Sequence, residues 1–198
     1  MNDASGQRAR FIAKVRAAQP AAVARPEVPL FPLSDVRSAK ERFETALALM
    51  GGQSLALENA GDLGAWLLRQ FGETAVVCSA VTEISGNRVL ESTTLPASLA
   101  DVDVGVVRAR FGVAETGSVW FSETEYRVNA LGYLAQHLVV LLDETTLLDG
   151  LQDVYRKSDF LAARYAALVT GPSATADIEG VMIRGAQGVR SLTVVWLK

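Results

Sequence analysis

The chain has 198 residues, of which 49% are hydrophobic and 21% charged, and its formal net charge at pH 7 is −3. These values predict one globular domain with a full core, and the acidic balance argues against a nucleic-acid-binding protein, which normally carries a basic surface. With one cysteine and one histidine, the chain cannot supply a disulfide framework, the thiolates of an iron–sulfur cluster or a cysteine–histidine zinc site.

The first 33 residues are predicted to form a basic helix and a proline-rich tether. Ser5 to Ala18 has helical spacing, with Phe11, Ile12 and Val15 on one side and basic residues distributed around it. Pro20 to Pro32 contains four prolines and can form neither a helix nor a central strand. We expect a solvated helical arm, with docking on the domain, on a second copy as a homo-oligomer, or on a partner as alternatives.

The sequence pattern predicts neither a targeting segment nor a membrane span. The first residues lack the apolar segment of a signal peptide, and no run of about twenty apolar residues is present to span a bilayer. We therefore expect a cytoplasmic protein without a membrane span.

The domain is predicted to cover residues 34–198 and to begin with alternating helices and strands. The order is a helix from Ser34 to about Met50, a strand at Ser54 to Leu57, a helix at Asp62 to Phe71 and a strand at Thr74 to Cys78. Ser34 is a suitable N-cap for the first helix, and the glycines at 51 and 52 stop it. Strand, helix and strand joined by short turns predict parallel pairing through a crossover helix, with Cys78 in the core.

The middle of the chain is richer in strand patterns. The strand candidates are Ser79 to Ile84, Arg88 to Leu90, Val102 to Val107, Val119 to Phe121 and Leu138 to Leu142. A helix is predicted for Leu147 to Tyr165, followed by a strand candidate at Ala166 to Thr170, and Ser191 to Leu197 is an apolar end segment. Together these elements predict an α/β domain with a mostly parallel sheet.

A segment of small and capping residues follows the strand at 166–170. Gly171 permits a tight turn into a predicted helix that Ser173 or Thr175 can cap. Asp177 and Glu179 then fall in the first helical turn, where they complement the helix dipole but repel an anion. Since the segment also lacks the Gly-Lys-Ser/Thr of a P-loop, it predicts either a plain helix cap or one wall of a ligand pocket.

A second candidate site is the turn at residues 114–118, with the sequence Ala-Glu-Thr-Gly-Ser. A glutamate held rigidly there, before a buried strand, is a candidate nucleophile or general base. The alternative is a structural role in which Glu115 accepts hydrogen bonds from loop amides. His137, which introduces the strand at Leu138, is a weaker catalytic candidate.

These segments together resemble the LUD domain of the lactate-utilization protein C family (LutC/YkgG). The resemblance is carried by Gly112 to Ser118, His137, Gly171 to Glu179 and Gly185 to Leu192. It implies a three-layer fold similar to the NagB/RpiA/CoA-transferase group and a role in oxidising L-lactate to pyruvate. Because the chain has one cysteine, it also implies that no cofactor cluster is bound here and that electrons pass through LutA-like and LutB-like iron–sulfur subunits.

The resemblance further implies a pocket, without a metal, for a small carboxylate or a nucleotide-like ligand. Its catalytic candidates are Glu115 and, more weakly, His137, and its ligand-binding candidates are Thr116, Gly117, Ser118, Gly171, Ser173, Thr175, Asp177 and Gln187. Gln187 and Ala174 replace a family-typical histidine and cation, which removes a titratable group and a carboxylate partner.

Three functions are consistent with these features. The first is an accessory, non-redox subunit of a lactate-oxidising system. The second is an independent small-carboxylate or acyl-transfer enzyme with Glu115 as nucleophile. The third is a metabolite-binding regulatory module.

Overall fold

The computed structural model of the chain describes residues 4–24, 26–27, 29–31, 35–59, 61–178 and 180–197. Within these ranges the helices are α1 (Ala4–Ala17), α2 (Ala39–Leu49), α3 (Gly61–Phe71), α4 (Glu123–Tyr126), α5 (Leu131–Leu134), α6 (Leu151–Arg156) and α7 (Ser158–Ala162). The strands are β1 (Gln53–Leu57), β2 (Val77–Ser79), β3 (Val104–Arg108), β4 (Phe111–Val113), β5 (Ser118–Ser122), β6 (His137–Leu142), β7 (Leu147–Leu148), β8 (Ala166–Val169), β9 (Ala174–Ile178), β10 (Val181–Arg184) and β11 (Ser191–Leu197). No helix in these ranges is long and apolar enough to cross a membrane.

The centre of the described fold is a parallel sheet of five strands in the order β1-β11-β6-β3-β2. Strands such as β3 and β6 are nearly continuous apolar runs, as a sheet covered on both faces requires. The prediction of an α/β fold with a mostly parallel sheet is therefore confirmed. The predicted pairing of the first two strands across a crossover helix is wrong, because β1 pairs with β11 while β2 pairs with β3 at the opposite edge.

Helices and a smaller sheet complete the layers. Leu63 and Leu67 of α3 pack on one face of the central sheet beside Val139. Phe43 and Leu47 of α2 pack on the other face, together with α5 and the inner side of a second sheet, β7-β4-β5-β8. The result is the expected three-layer arrangement, with α6 and α7 covering the outer side of the second sheet.

The predicted helix at Leu147 to Tyr165 is wrong, since this segment forms β7, α6 and α7. Leu147 and Leu148 pair with β4, whose free edge competes with helix formation. Extended backbone at Lys157, with φ −74° and ψ 137°, separates the two short helices.

The strands predicted at Ser79 to Ile84 and Arg88 to Leu90 are also wrong. β2 ends at Ser79, and Arg88 makes a single bridge to Cys78. The side chain of Asn87 accepts a hydrogen bond from the Val77 amide at 2.7 Å and donates one to the Ala75 carbonyl at 2.8 Å. These side-chain contacts bond the outer edge of β2 in place of another strand.

The predicted helix after Gly171 is wrong as well, because residues 174–178 form β9 and pair antiparallel with β10. Gly180, with φ +73°, supplies the turn between the two strands. Glu179, placed in the predicted helix, lies outside the described residues. The segment offers no apolar face of helical period, so pairing between exposed strands satisfies its backbone instead.

The N-cap of α2 differs from the prediction. Ser38, and not Ser34, caps α2: the Glu41 amide donates to Ser38 Oγ at 3.2 Å, and the Ser38 amide donates to Glu41 Oε2 at 2.8 Å. Ser34 and the predicted domain boundary at residues 33 and 34 lie outside the described residues. α1 forms as predicted, and its Phe11 is 68% exposed.

Candidate functional site

A chain of hydroxyl groups joins the two predicted motifs. Thr116 Oγ1 lies 2.7 Å from Ser118 Oγ, which lies 2.5 Å from Thr170 Oγ1. Ser118 is buried at the start of β5, and Thr170 follows β8, which pairs with β5. The antiparallel pairing of these strands therefore brings residues 116–118 against the start of the 171–179 segment.

The motif glycines are required by close packing against α2. Gly117 has φ +65°, and a Cβ added there would lie 2.3 Å from the Leu47 amide nitrogen. Gly171 has φ +63°, and its added Cβ would lie 2.6 Å from the Met50 carbonyl oxygen. Both residues therefore hold positive-φ turns against helix backbone, a structural role that accounts for their presence without a ligand.

Glu115 lines a cavity of about 720 Å³ between α2, the linker before it and the start of α6. Its Oε2 accepts a hydrogen bond from the Leu151 amide at 2.8 Å, and its own amide donates to the Asp149 carbonyl at 3.0 Å. The side chain is exposed, and its Oε1 has no hydrogen bond within the described part of the chain. The carboxylate thus fixes a loop amide, as in the structural alternative, and keeps one oxygen available to a ligand.

A buried arginine in the same cavity was not predicted from the sequence. Arg42 of α2 is 8% exposed and pairs through Nη2 with the half-exposed Asp149. Its Nε is buried with no hydrogen-bond partner among the described residues. A charge within the apolar face of α2, next to Phe43, was the available signal, since a buried cation requires partners.

The rim of this cavity carries a second guanidinium group. Arg37 donates to the carboxylate of Asp35 through Nε at 3.1 Å and Nη2 at 2.6 Å. These hydrogen bonds from the side chain of Arg37, together with one from its amide, lower the pKa of Asp35 to about 2. Arg37 and Arg42 provide fork-shaped donors for an oxyanion, although each is already held by an aspartate.

Four predicted ligand-binding residues of the C-terminal motifs line two different cavities, whereas Thr116, Gly117 and Ser118 line none of those described. Gly171 and Ser173 line one of about 310 Å³, and Ser173, Thr175 and Gln187 line a neighbouring one of about 390 Å³. The Ser173 amide donates to the Val189 carbonyl at 2.8 Å, so the two C-terminal motifs are adjacent. Glu115 lines neither cavity, and of Asp177 the structure describes only the backbone, within β9.

His137 lies at the amino end of β6, beside the start of β11. Its Nδ1 is 2.8 Å from Ser191 Oγ, and its ring centroid is 4.9 Å from that of Phe71. Burial and the nearby charge of Arg190 lower the pKa of His137. It lines neither C-terminal cavity, and the opposite, carboxyl edge is where open α/β sheets bind ligands.

Metal binding finds no support in the side chains that are described. Among them, no group of three or more histidine, cysteine, aspartate or glutamate residues is arranged to hold a metal ion. Cys78 is fully buried, and burial raises the pKa of its thiol.

Comparison with known proteins identifies the family of this chain. No curated protein matches the chain. Its fold is similar to that in the crystal structure of a DUF162 family protein from Deinococcus radiodurans, with a TM-score of 0.56 and 14% sequence identity over 81% of this chain and 96% of that one. The model of the LUD domain matches residues 87–197. Because this match covers more than half of its 198 residues, the chain belongs to the LUD domain family.

Proposed function

We propose that this chain is an accessory, non-redox subunit of an iron–sulfur system that oxidises L-lactate to pyruvate, with LutA-like and LutB-like subunits as its partners. The observation that carries the proposal is the LUD-domain match over residues 87–197, since LUD domains are associated with lactate-utilization proteins. The four motifs that resemble the LutC subfamily support the same role.

The division of labour follows from the cysteine content. Removing two electrons from lactate requires a redox centre, and an iron–sulfur cluster usually requires four thiolates. The chain has one cysteine, and Cys78 is buried inside β2 with a raised pKa. Clusters in such a system would therefore be held by partner subunits.

Purification from the organism that encodes the chain tests this proposal. Cells grown on L-lactate are lysed without oxygen, and the affinity-tagged full chain is recovered under mild conditions. We expect two iron–sulfur proteins to co-purify, and we expect a deletion strain to lose growth on L-lactate while it grows normally on pyruvate. Recovery without an iron–sulfur protein, together with normal growth on L-lactate after deletion, would contradict the proposal.

A second function is favoured by the position of Glu115. Its Oε1 is without a hydrogen bond in the described structure, and the residue lines the cavity of about 720 Å³. Attack of this oxygen on the carbonyl carbon of an acyl donor would form a mixed anhydride and release the donor's thiol or alcohol. The released thiol or alcohol would then attack the glutamyl carbonyl carbon and expel the donor's acyl group as a carboxylate. A small carboxylate would take up the thiol or alcohol by the reverse of these two steps, which regenerates Glu115.

The variant Glu115→Gln separates this function from the first. Glutamine keeps an acceptor for the Leu151 amide, so the loop and the melting temperature should be retained while acyl transfer is lost. Glu58→Gln, at an exposed residue outside the cavity, is the matched control. Acyl transfer by the Glu115→Gln protein at the rate of the unchanged protein would remove this candidate function.

A further inference from the structure

A cavity at the carboxyl edge of the central sheet lies apart from every predicted motif. Its volume is about 450 Å³, and it is lined by Ala80 after β2, Arg108 at the end of β3 and Asp143 after β6. These are three neighbouring strands of the sheet. Ligands of open α/β sheets bind in the crevice outside the carboxyl ends of the strands, so the position alone makes this cavity a candidate site.

The charges around the cavity leave one guanidinium group without a partner. Arg108 pairs with Glu83, and Arg110 pairs with Glu125 at 2.6 Å and with Asp159 at 2.6 Å. Arg127, which also lines the cavity, makes no ion pair or side-chain hydrogen bond within the described residues. It is therefore available to bind the carboxylate of a ligand through two parallel hydrogen bonds.

Two further side chains of the cavity each have a polar atom without a hydrogen bond among the described residues. Asp143 Oδ1 accepts hydrogen bonds from the Thr145 amide at 2.8 Å and the Thr145 hydroxyl at 2.7 Å, which leaves Oδ2 as a free acceptor in the described structure. These bonds from Thr145, and the charge of Arg108, lower the pKa of Asp143 and keep it ionised. The Thr124 hydroxyl likewise has no hydrogen bond among the described residues.

The backbone presents Arg127 at a conformational cost. Its φ of 57° and ψ of −46° make it the one residue other than glycine with a positive φ among those described. The Val128 amide donates to the Tyr126 carbonyl at 2.6 Å across it, which closes a strained γ-turn. Tyr126 and Val128 are both buried, so the turn fixes an exposed arginine between two anchored residues, and such strain concentrates at functional sites.

We propose that this cavity binds a small 2-hydroxy carboxylate, with Arg127 holding the carboxylate and Asp143 accepting a hydrogen bond from the 2-hydroxyl group. The charged lining side chains without an ion pair among the described residues are Arg127 and Asp143. They offer a forked donor and an acceptor, which match a carboxylate that carries a hydroxyl group on the neighbouring carbon. The proposal deepens the proposed function, since lactate is a 2-hydroxy carboxylate, and it rests on that function only for the choice of L-lactate as the probe.

Binding to the purified full chain tests this site without partner subunits. L-lactate, propionate without the hydroxyl group, and L-alanine with an ammonium group in its place are titrated by amide chemical-shift perturbation. We expect L-lactate to bind more tightly than propionate, whereas tighter binding of L-alanine than of L-lactate would overturn the proposal in favour of an amino-acid site. In Asp143→Asn we expect the preference for L-lactate over propionate to fall, because the amide is a weaker acceptor than the carboxylate.

Arg127→Gly distinguishes ligand binding from a structural role. Glycine adopts positive φ without strain, so the melting temperature should be unchanged or higher while L-lactate affinity falls about tenfold or more. Arg69→Gln, at an exposed arginine of α3, should leave binding unchanged. No L-lactate binding by the unchanged protein, or equal binding by Arg127→Gly, would overturn the proposal.

The two proposals fail separately. Co-purification of iron–sulfur proteins without L-lactate binding by the isolated chain would overturn this site alone. Binding that depends on Arg127 without such partners or a growth defect would overturn the accessory role alone.

Discussion

Replacing Gly117 by alanine should destabilise the domain through contact with α2. The new Cβ would lie 2.3 Å from the amide nitrogen of Leu47 and 2.7 Å from its Cα. These are backbone atoms inside a helix, so neither a rotamer change nor a small side-chain shift relieves the contact. A positive φ costs an alanine about 1 kcal/mol, and forced overpacking adds roughly 2 kcal/mol.

Gly72 provides the matched control, because its φ is +83° and a Cβ added there would meet nothing within 4 Å. Gly72→Ala should therefore cost only the conformational part, about 1 kcal/mol. In a chain of this length 1 kcal/mol corresponds to about 2–4 °C in melting temperature. We expect Gly117→Ala to melt about 6–12 °C lower and Gly72→Ala about 2–4 °C lower.

Urea and thermal denaturation of both variants measure this difference. Equal losses of stability in Gly117→Ala and Gly72→Ala would refute the reasoning that α2 determines the glycine at 117. A stable Gly117→Ala protein that has lost ligand binding would instead assign Gly117 to the ligand.

Other predictions concern the hydroxyl chain, the histidine and the arm. Ser118→Ala leaves the hydroxyls of Thr116 and Thr170 without their shared partner, so the free energy of unfolding should fall by about 1–2 kcal/mol in urea titrations. The pKa of His137 is lower in the folded chain than its ordinary 6.5, so the unfolded chain binds the proton more readily and stability should fall as the pH falls below about 6.5. His137→Gln should flatten that part of a melting-temperature profile from pH 5 to 7.5, and an unchanged slope would contradict the assignment. Deleting residues 1–19 should leave the melting temperature within about 1 °C, because the side chains described there are largely exposed.

The central sheet was largely predictable because its strands are long apolar runs. The predicted strand at Leu138 to Leu142 corresponds to β6, and the apolar segment at Ser191 to Leu197, to which no element was assigned, forms β11. Their pairing partners were not predictable from local sequence, because an apolar run of this kind can occupy any position in the strand order of a parallel sheet. This is why β1 and β2 were wrongly expected to pair.

The hairpin of β9 and β10 was missed for a different reason. Ser173, Thr175 and Asp177 are typical of helix caps, but they are equally compatible with an exposed strand. Two residues separate β9 from β10, and the second of them is Gly180. A two-residue connection that contains a glycine is the sequence signal of a β-hairpin.

The candidate sites were only partly predictable because their residues are distant in sequence. Glu115 and the 171–179 segment were identified from local patterns, and the hydroxyl chain joins their loops. Arg42 meets Asp149 across 107 positions, and Arg127 after α4 lines the same cavity as Asp143 after β6. Local sequence patterns do not predict contacts between residues that are this far apart in the chain.

The interior position of β11 imposes an order on biosynthesis. β1 is among the first strands to leave the ribosome, yet its described pairing partner is made only after all the other strands. At about 5–20 residues per second the interval is on the order of ten seconds. During that interval β1 presents an unpaired edge to chaperones and to other nascent chains, so the central sheet must close after translation of its last strand.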